Sequence, residues 1–210
     1  MANVECRMPN NNAQRKAVWG ARILLAIVIA CAAVLTSCGQ VVREGNGNSY
    51  LIMTSLGGTN GARPGAFTSN LLSDVVTVVN GVSSTFNDPG QAGLQLAMKD
   101  PVGTQPSTVN SITVTQYHVE YFRTDGQNVE GVGVPYAFDG AVTATVVGST
   151  NVSFTLVRHT AKEEAPLKTL RSGASPLTVI AKVTFYGHDQ VGRGVSVSGQ
   201  MEITFSNFGD

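Results

Sequence analysis

Four oxygen-bearing side chains crowd one segment of this sequence: Asp125, Asn128, Glu130 and Asp139 all fall between positions 125 and 140. Carboxylate and amide oxygens are the ligands calcium prefers, so the grouping could hold that cation weakly. Its spacing departs from the twelve-residue Asp-x-Asp-x-Asp-Gly loop, and Asp, Asn and Gly also make turns without any ion. The three histidines, His118, His159 and His188, are the next candidates for chemistry. No two stand at a zinc-ligand spacing such as His-Glu-x-x-His. His118 is out of phase with Tyr117 and Val119 on an expected strand, which turns it to solvent, and His188 sits beside Asp189 in an expected turn. No serine has a Gly-x-Ser-x-Gly or Ser-x-x-Lys setting. The segment Gly187–Gly194 is glycine-rich, but it lacks the Gly-Lys-[Ser/Thr] ending of a phosphate loop and leads into a strand. The three cysteines, Cys6, Cys31 and Cys38, all precede position 39, so the rest of the chain has no thiol for a disulfide, a zinc site or a nucleophile. No catalytic set emerges; the expectation is a non-enzyme without a cofactor.

Something must place whatever chemistry remains, and the first forty residues say where. Arg7, Arg15, Lys16 and Arg22 face a single acid, Glu5, across the first 22 positions, a charge bias that stays cytoplasmic during export. Ile23–Leu35 then runs without a charge. As a helix it would be about 20 Å long, at roughly 1.5 Å per residue. That is short of the ~30 Å hydrocarbon core and suits a signal h-region better than a permanent span. Extending it backward through Ala17–Gly20 would put Arg22 inside the apolar stretch at a cost of a few kcal/mol. Ordinary cleavage at an Ala-x-Ala-like site fits less well than the small residues that lead into Cys38.

Leu35-Thr36-Ser37-Cys38 resembles the lipobox of bacterial lipoprotein precursors. The resemblance implies that residues 1–37 are a signal peptide and that the Cys38 thiol receives diacylglycerol. After cleavage Cys38 becomes the acylated first residue, held to a membrane by several chains at about 0.8 kcal/mol per buried methylene. In diderm organisms an aspartate after the cysteine is the usual inner-membrane retention signal. Gly39 stands there instead, which implies the outer membrane.

Composition bounds the remainder. The leader holds four of the fourteen basic residues and one of the fourteen acids, leaving ten against thirteen and a net charge of about minus three. No basic patch would attract a phosphate backbone, so nucleic acid is not an expected partner. Residues 38–48, with Gly39, Gly45 and Gly47, read as the lipidated cysteine and a flexible tether. Residues 49–210 are ample for one core.

That core is expected to be all-β. Tyr50–Leu56 is an apolar run ended by Gly57-Gly58; Val75–Val79 is β-branched and stops at Asn80-Gly81; Leu94, Leu96 and Met98 alternate. Ile112 and Val114 share one phase while Tyr117, Val119 and Tyr121 follow the other, which predicts a bulge near Thr115-Gln116. Val142–Val146 and Val152–Leu156 flank a Gly148–Asn151 turn and read as a hairpin. Val179–Phe185 and Val195–Phe205 read as a second, joined by Gly187–Gly194. Ala161–Leu170 has helix formers, but Pro166 breaks it into an excursion with a turn of helix. Pro135-Tyr136-Ala137-Phe138 either protrudes as an aromatic contact or plugs the end of the core.

Seven to nine strands with a strictly alternating last hairpin resemble bacterial immunoglobulin-like or fibronectin-III-like domains, a two-sheet antiparallel sandwich; a closed eight-stranded barrel is the alternative. The region also looks like envelope lipoproteins of uncharacterised activity that carry a similar Tyr121–Gly126 stretch. The expectation is a lipid-anchored, non-catalytic module that binds or scaffolds an envelope protein. A binder of a small molecule, lipid or glycan is the alternative.

Overall fold

Alternating Val, Ile and Thr favour the pleated chain over the helix, because branching at Cβ restricts χ1 in a helical turn and packs well on a sheet. The computed structural model describes residues 48–100, 105–173 and 175–208, and within it Gly47–Asp210 is one compact unit. The expected signal segment and acylation site Cys38, with the lipobox-like Leu35, Thr36 and Ser37, and the expected tether up to residue 47 lie outside the described residues. The described strands are β1 (Ser49–Gly58), β2 (Asn70–Asp74), β3 (Thr77–Val79), β4 (Val82–Ser84), β5 (Asp88–Met98), β6 (Ile112–Phe122), β7 (Phe138–Val146), β8 (Ser149–Val157), β9 (Leu177–Asp189) and β10 (Gly194–Ser206). Two short helices, α1 (His159–Glu163) and α2 (Leu167–Leu170), flank a cis Ala165–Pro166 bond, which is the broken helical excursion that Pro166 predicts. The all-β class holds.

One sheet has the order β1-β5-β8 and a second β2-β10-β9-β6-β7, while β3 and β4 form a separate two-stranded ribbon. Pairing is antiparallel except between β2 and β10, which run parallel. The bulge falls where the phase slip places it: β6 loses register between Val114 and Gln116 against both of its neighbours. Asn80 and Gly81, with φ of 53° and 77°, make the left-handed two-residue turn that joins β3 to β4.

Three expectations change. Residues 142–156 are not a hairpin, because β7 pairs with β6 whereas β8 pairs with β5 in the other sheet. The Gly148 turn therefore carries the chain from one sheet to the other. The last hairpin's loop is shorter than Gly187–Gly194, since β9 continues to Asp189 and includes His188. Gly187 is there for clearance rather than turning: a Cβ on it would stand 2.3 Å from the Thr113 carbonyl oxygen beside the bulge. Finally, β2 precedes Val75 and gives no alternating signal, because its buried residues include Ser73 and Asp74.

The core is shared by both larger sheets. Tyr117 (β6), Phe154 (β8) and Phe185 (β9) meet with ring centroids 5.3 to 6.1 Å apart, and Phe138 (β7) stands edge-on to Tyr117 at 6.2 Å. Two β6 tyrosines also stitch the sheets by hydrogen bonds: Tyr121 Oη donates to the Leu156 carbonyl at 2.7 Å, and the Thr155 amide donates to Tyr117 Oη at 3.2 Å. Burial pushes the Tyr121 phenol well above its ordinary range, with Asp88 adding to the effect, so it remains a donor.

Candidate binding cleft

Just after β8 the chain leaves the core through Arg158 into α1, and a buried ion pair fixes that exit. Lys162 on α1 is 1% exposed and Asp88, the first residue of β5, is fully buried; Nζ lies 2.8 Å from Oδ1. Asp88 also accepts from the Gly61 amide at 2.9 Å on Oδ1 and from Ser73 Oγ at 2.5 Å on Oδ2. Removing two charges from water is expensive, and only this extra hydrogen bonding makes the burial tolerable. The pair joins α1 to β5, and Ser73 ties in β2.

That attachment holds His159 against Asn87, whose Oδ1 accepts from the His159 amide at 2.6 Å and lies 3.0 Å from Nδ1. Asn87, Arg158, His159 and Thr160 then form one side of an open cleft of about 330 Å³, with Tyr117, Phe138, Asp139 and Thr155 completing it. The half-buried Arg158 guanidinium carbon sits 4.3 Å above the Phe138 ring centroid, a cation–π contact. The Arg158 carbonyl accepts from the Ala161 amide at 3.1 Å, but among the described residues its side chain has no hydrogen-bonding or ion-pair partner, and Nε is buried without one. Asp139, which also lines the cleft, is already engaged by His118, whose Nδ1 lies 2.9 Å from Oδ1.

The residues singled out from the sequence are dispersed. Asp125 bonds the Gln127 amide and the Arg123 guanidinium; the Gln127 N–H first, and Arg123 after it, hold its carboxyl below the usual aspartate range. Asn128 Oδ1 accepts from the Arg123 amide at 2.6 Å, and Glu130 Oε1 from the Ala137 amide at 3.1 Å. Asp139 turns to His118 instead. Each of the four oxygen donors thus fastens a turn or strand, and among the described residues no three His, Cys, Asp or Glu side chains converge as a metal site. His118 is partly exposed beside buried Tyr117 and Val119, as its phase predicts, and His188 is exposed on β9. The aromatic segment divides, with Phe138 buried at the cleft and Tyr136 at 46% exposure.

The sequence gives no sign of Asn87, Asp88, Arg158 or Lys162. Asp88 and Lys162 lie 74 positions apart, so no spacing rule joins them. Lys162 on a short polar helix reads as solvated until the tertiary structure buries it. No protein-family model matches this chain, and no curated protein sequence matches it either. Among the described residues no helix is long and apolar enough to cross a membrane.

Proposed function

We propose that this chain is a lipid-anchored envelope lipoprotein whose β-rich body is a non-catalytic binding or scaffolding module. The observation that carries the reading is Leu35-Thr36-Ser37-Cys38 placed after a basic, then apolar, leader and before an all-β unit that begins at Gly47. The order β1-β5-β8 together with β10-β9-β6 supports an immunoglobulin-like sandwich, because it matches the A-B-E and G-F-C strand neighbours of that fold. The parallel edge strand β2 and the ribbon β3–β4 are additions to it. Eight strands in two sheets with a dense aromatic core leave no barrel lumen in this reading. Acylation is tested by feeding radiolabelled palmitate to cells that express the full chain. Label is expected in the wild type and absent from Cys38→Ala; label in the variant overturns the anchor.

The small-ligand alternative has its own support, the Arg158 cleft. It does not depend on how the chain is anchored.

A further inference from the structure

We propose that the cleft between β7 and α1 binds a monoanionic, polyhydroxylated carboxylate, an acidic sugar, with Arg158 as the group that takes its carboxylate. The proposal deepens the small-ligand reading and commits it to a chemical class. A guanidinium is always charged and carries five donors, and here it is half-buried, braced on the Phe138 ring and free of any acid among the described residues. Structural arginines at such depth normally find a carboxylate or a carbonyl, because an unmatched buried donor is costly. The one acid that lines the cleft, Asp139, is bonded to His118 instead.

Ligand charge follows from that balance. Arg158 is the cleft's only permanent cation, and the Asp139 carboxylate would oppose a phosphate dianion, so a single negative charge is matched best. Planar, bidentate pairing with a guanidinium favours a carboxylate over a spherical anion. Around the cation the lining is hydroxyl and amide: Thr155, Thr160, Tyr117 and Asn87 offer the donors and acceptors a sugar's hydroxyls need. Tyr117 and Phe138, both largely buried, line the cleft as its apolar floor. A volume of about 330 Å³ accommodates one ring rather than a chain.

The test uses saturation-transfer NMR and calorimetry on the full chain with galacturonate, galactose and acetate. Galacturonate is expected to receive saturation and to bind at least tenfold more tightly than galactose or acetate. Arg158→Met and Arg158→Lys are both expected to abolish that preference, since lysine keeps the charge but loses the fork. Galactose binding as well as galacturonate would leave a small-ligand cleft but overturn the acidic class. Acetate binding equally well would overturn the sugar. Undiminished galacturonate binding by Arg158→Met would overturn the site, and no binding of any probe would overturn the proposal and the small-ligand reading together. Should Arg158→Met fail to fold, Asn87→Ala, on an exposed side chain of the same wall, is expected to weaken galacturonate binding at least threefold; unchanged affinity there counts against the cleft.

Discussion

Lys162 and Asp88 are the two residues on which the geometry of the cleft wall rests, and their burial makes the consequence of changing either one asymmetric. Lys162→Met leaves the Asp88 carboxylate buried with only the Gly61 amide and Ser73 hydroxyl, and breaking a buried pair in this way costs about 3–5 kcal/mol. Urea unfolding midpoints should show that loss. Combining Lys162→Met with Asp88→Asn should restore part of it, because no charge is then stranded. Additive losses in the double variant would mean that the two side chains do not act as a pair. A milder case is Asp125, whose carboxyl is held below its ordinary value by the Gln127 amide first and by Arg123 after it. A depressed folded-state value means that its contribution is present above the unfolded aspartate value and disappears as pH falls through the folded one. The stability gap between wild type and Asp125→Ala should therefore be larger at pH 6 than at pH 2. A gap independent of pH would show that the loop gains nothing from ionisation.

At the scale of the strand, Thr115, the residue β6 carries in excess of β9, decides which side chains reach the core. Ile112 and Val114 point inward before the register shift, and Tyr117, Val119 and Tyr121 do so after it. Deleting Thr115 would turn Tyr117, Val119 and Tyr121 to the opposite face, remove both tyrosine bonds to β8, and take Tyr117 out of the aromatic cluster. The expected result is a chain without a cooperative thermal transition, whereas inserting a glycine at Gly192, in the exposed β9–β10 loop, should leave the transition within a few degrees of wild type. A cooperative melt in the deletion variant would mean that β6 can re-register. This bulge was legible in the sequence because a change of phase is a local signal. The sheet switch after β7 was not, since Val142–Val146, a Gly-Ser turn and Val152–Leu156 look alike whether the two strands pair with each other or with β6 and β5. Only the distant partner strands decide. The same holds for β2, whose parallel partner lies about 130 positions later, and for the cleft, which joins Asn87, just before β5, to β6, β7, β8 and α1 through residues of ordinary local context.

The two ends of the β unit differ in a way that bears on both proposals. Ser49 opens β1 opposite Met98 and bonds the Asn110 carbonyl, so the chain enters the body at the end formed by residues 109–110 and the β9–β10 loop. β1 then runs ten residues to Gly58, opposite Gly90, a distance of roughly 30 Å at about 3.3 Å per residue. Asn87, Arg158 and His159 lie at that far end, because Asp88 pairs with Val157. A body tethered through Cys38 would thus meet the lipid headgroups with its Val109 and Val191 end, where both valines are at least 70% exposed, and present the cleft outward. In a chain processed as proposed, Cys6 and Cys31 would leave with the leader and Cys38 would be acylated, so one engineered cysteine would be the only thiol to label. Nitroxides at Val191→Cys and Thr160→Cys, on exposed positions of the two ends, should respond differently to a paramagnetic chelate fixed to vesicle headgroups. Relaxation enhancement is expected to be severalfold stronger at position 191, with the difference narrowing as glycine-serine residues are added after Gln40 and the body gains freedom to tumble. Equal enhancement at both positions in the unextended chain would mean that the tether imposes no orientation. Stronger enhancement at position 160 would turn the cleft toward the lipid, and its ligand would then have to be sought in the headgroup layer rather than in the surrounding fluid.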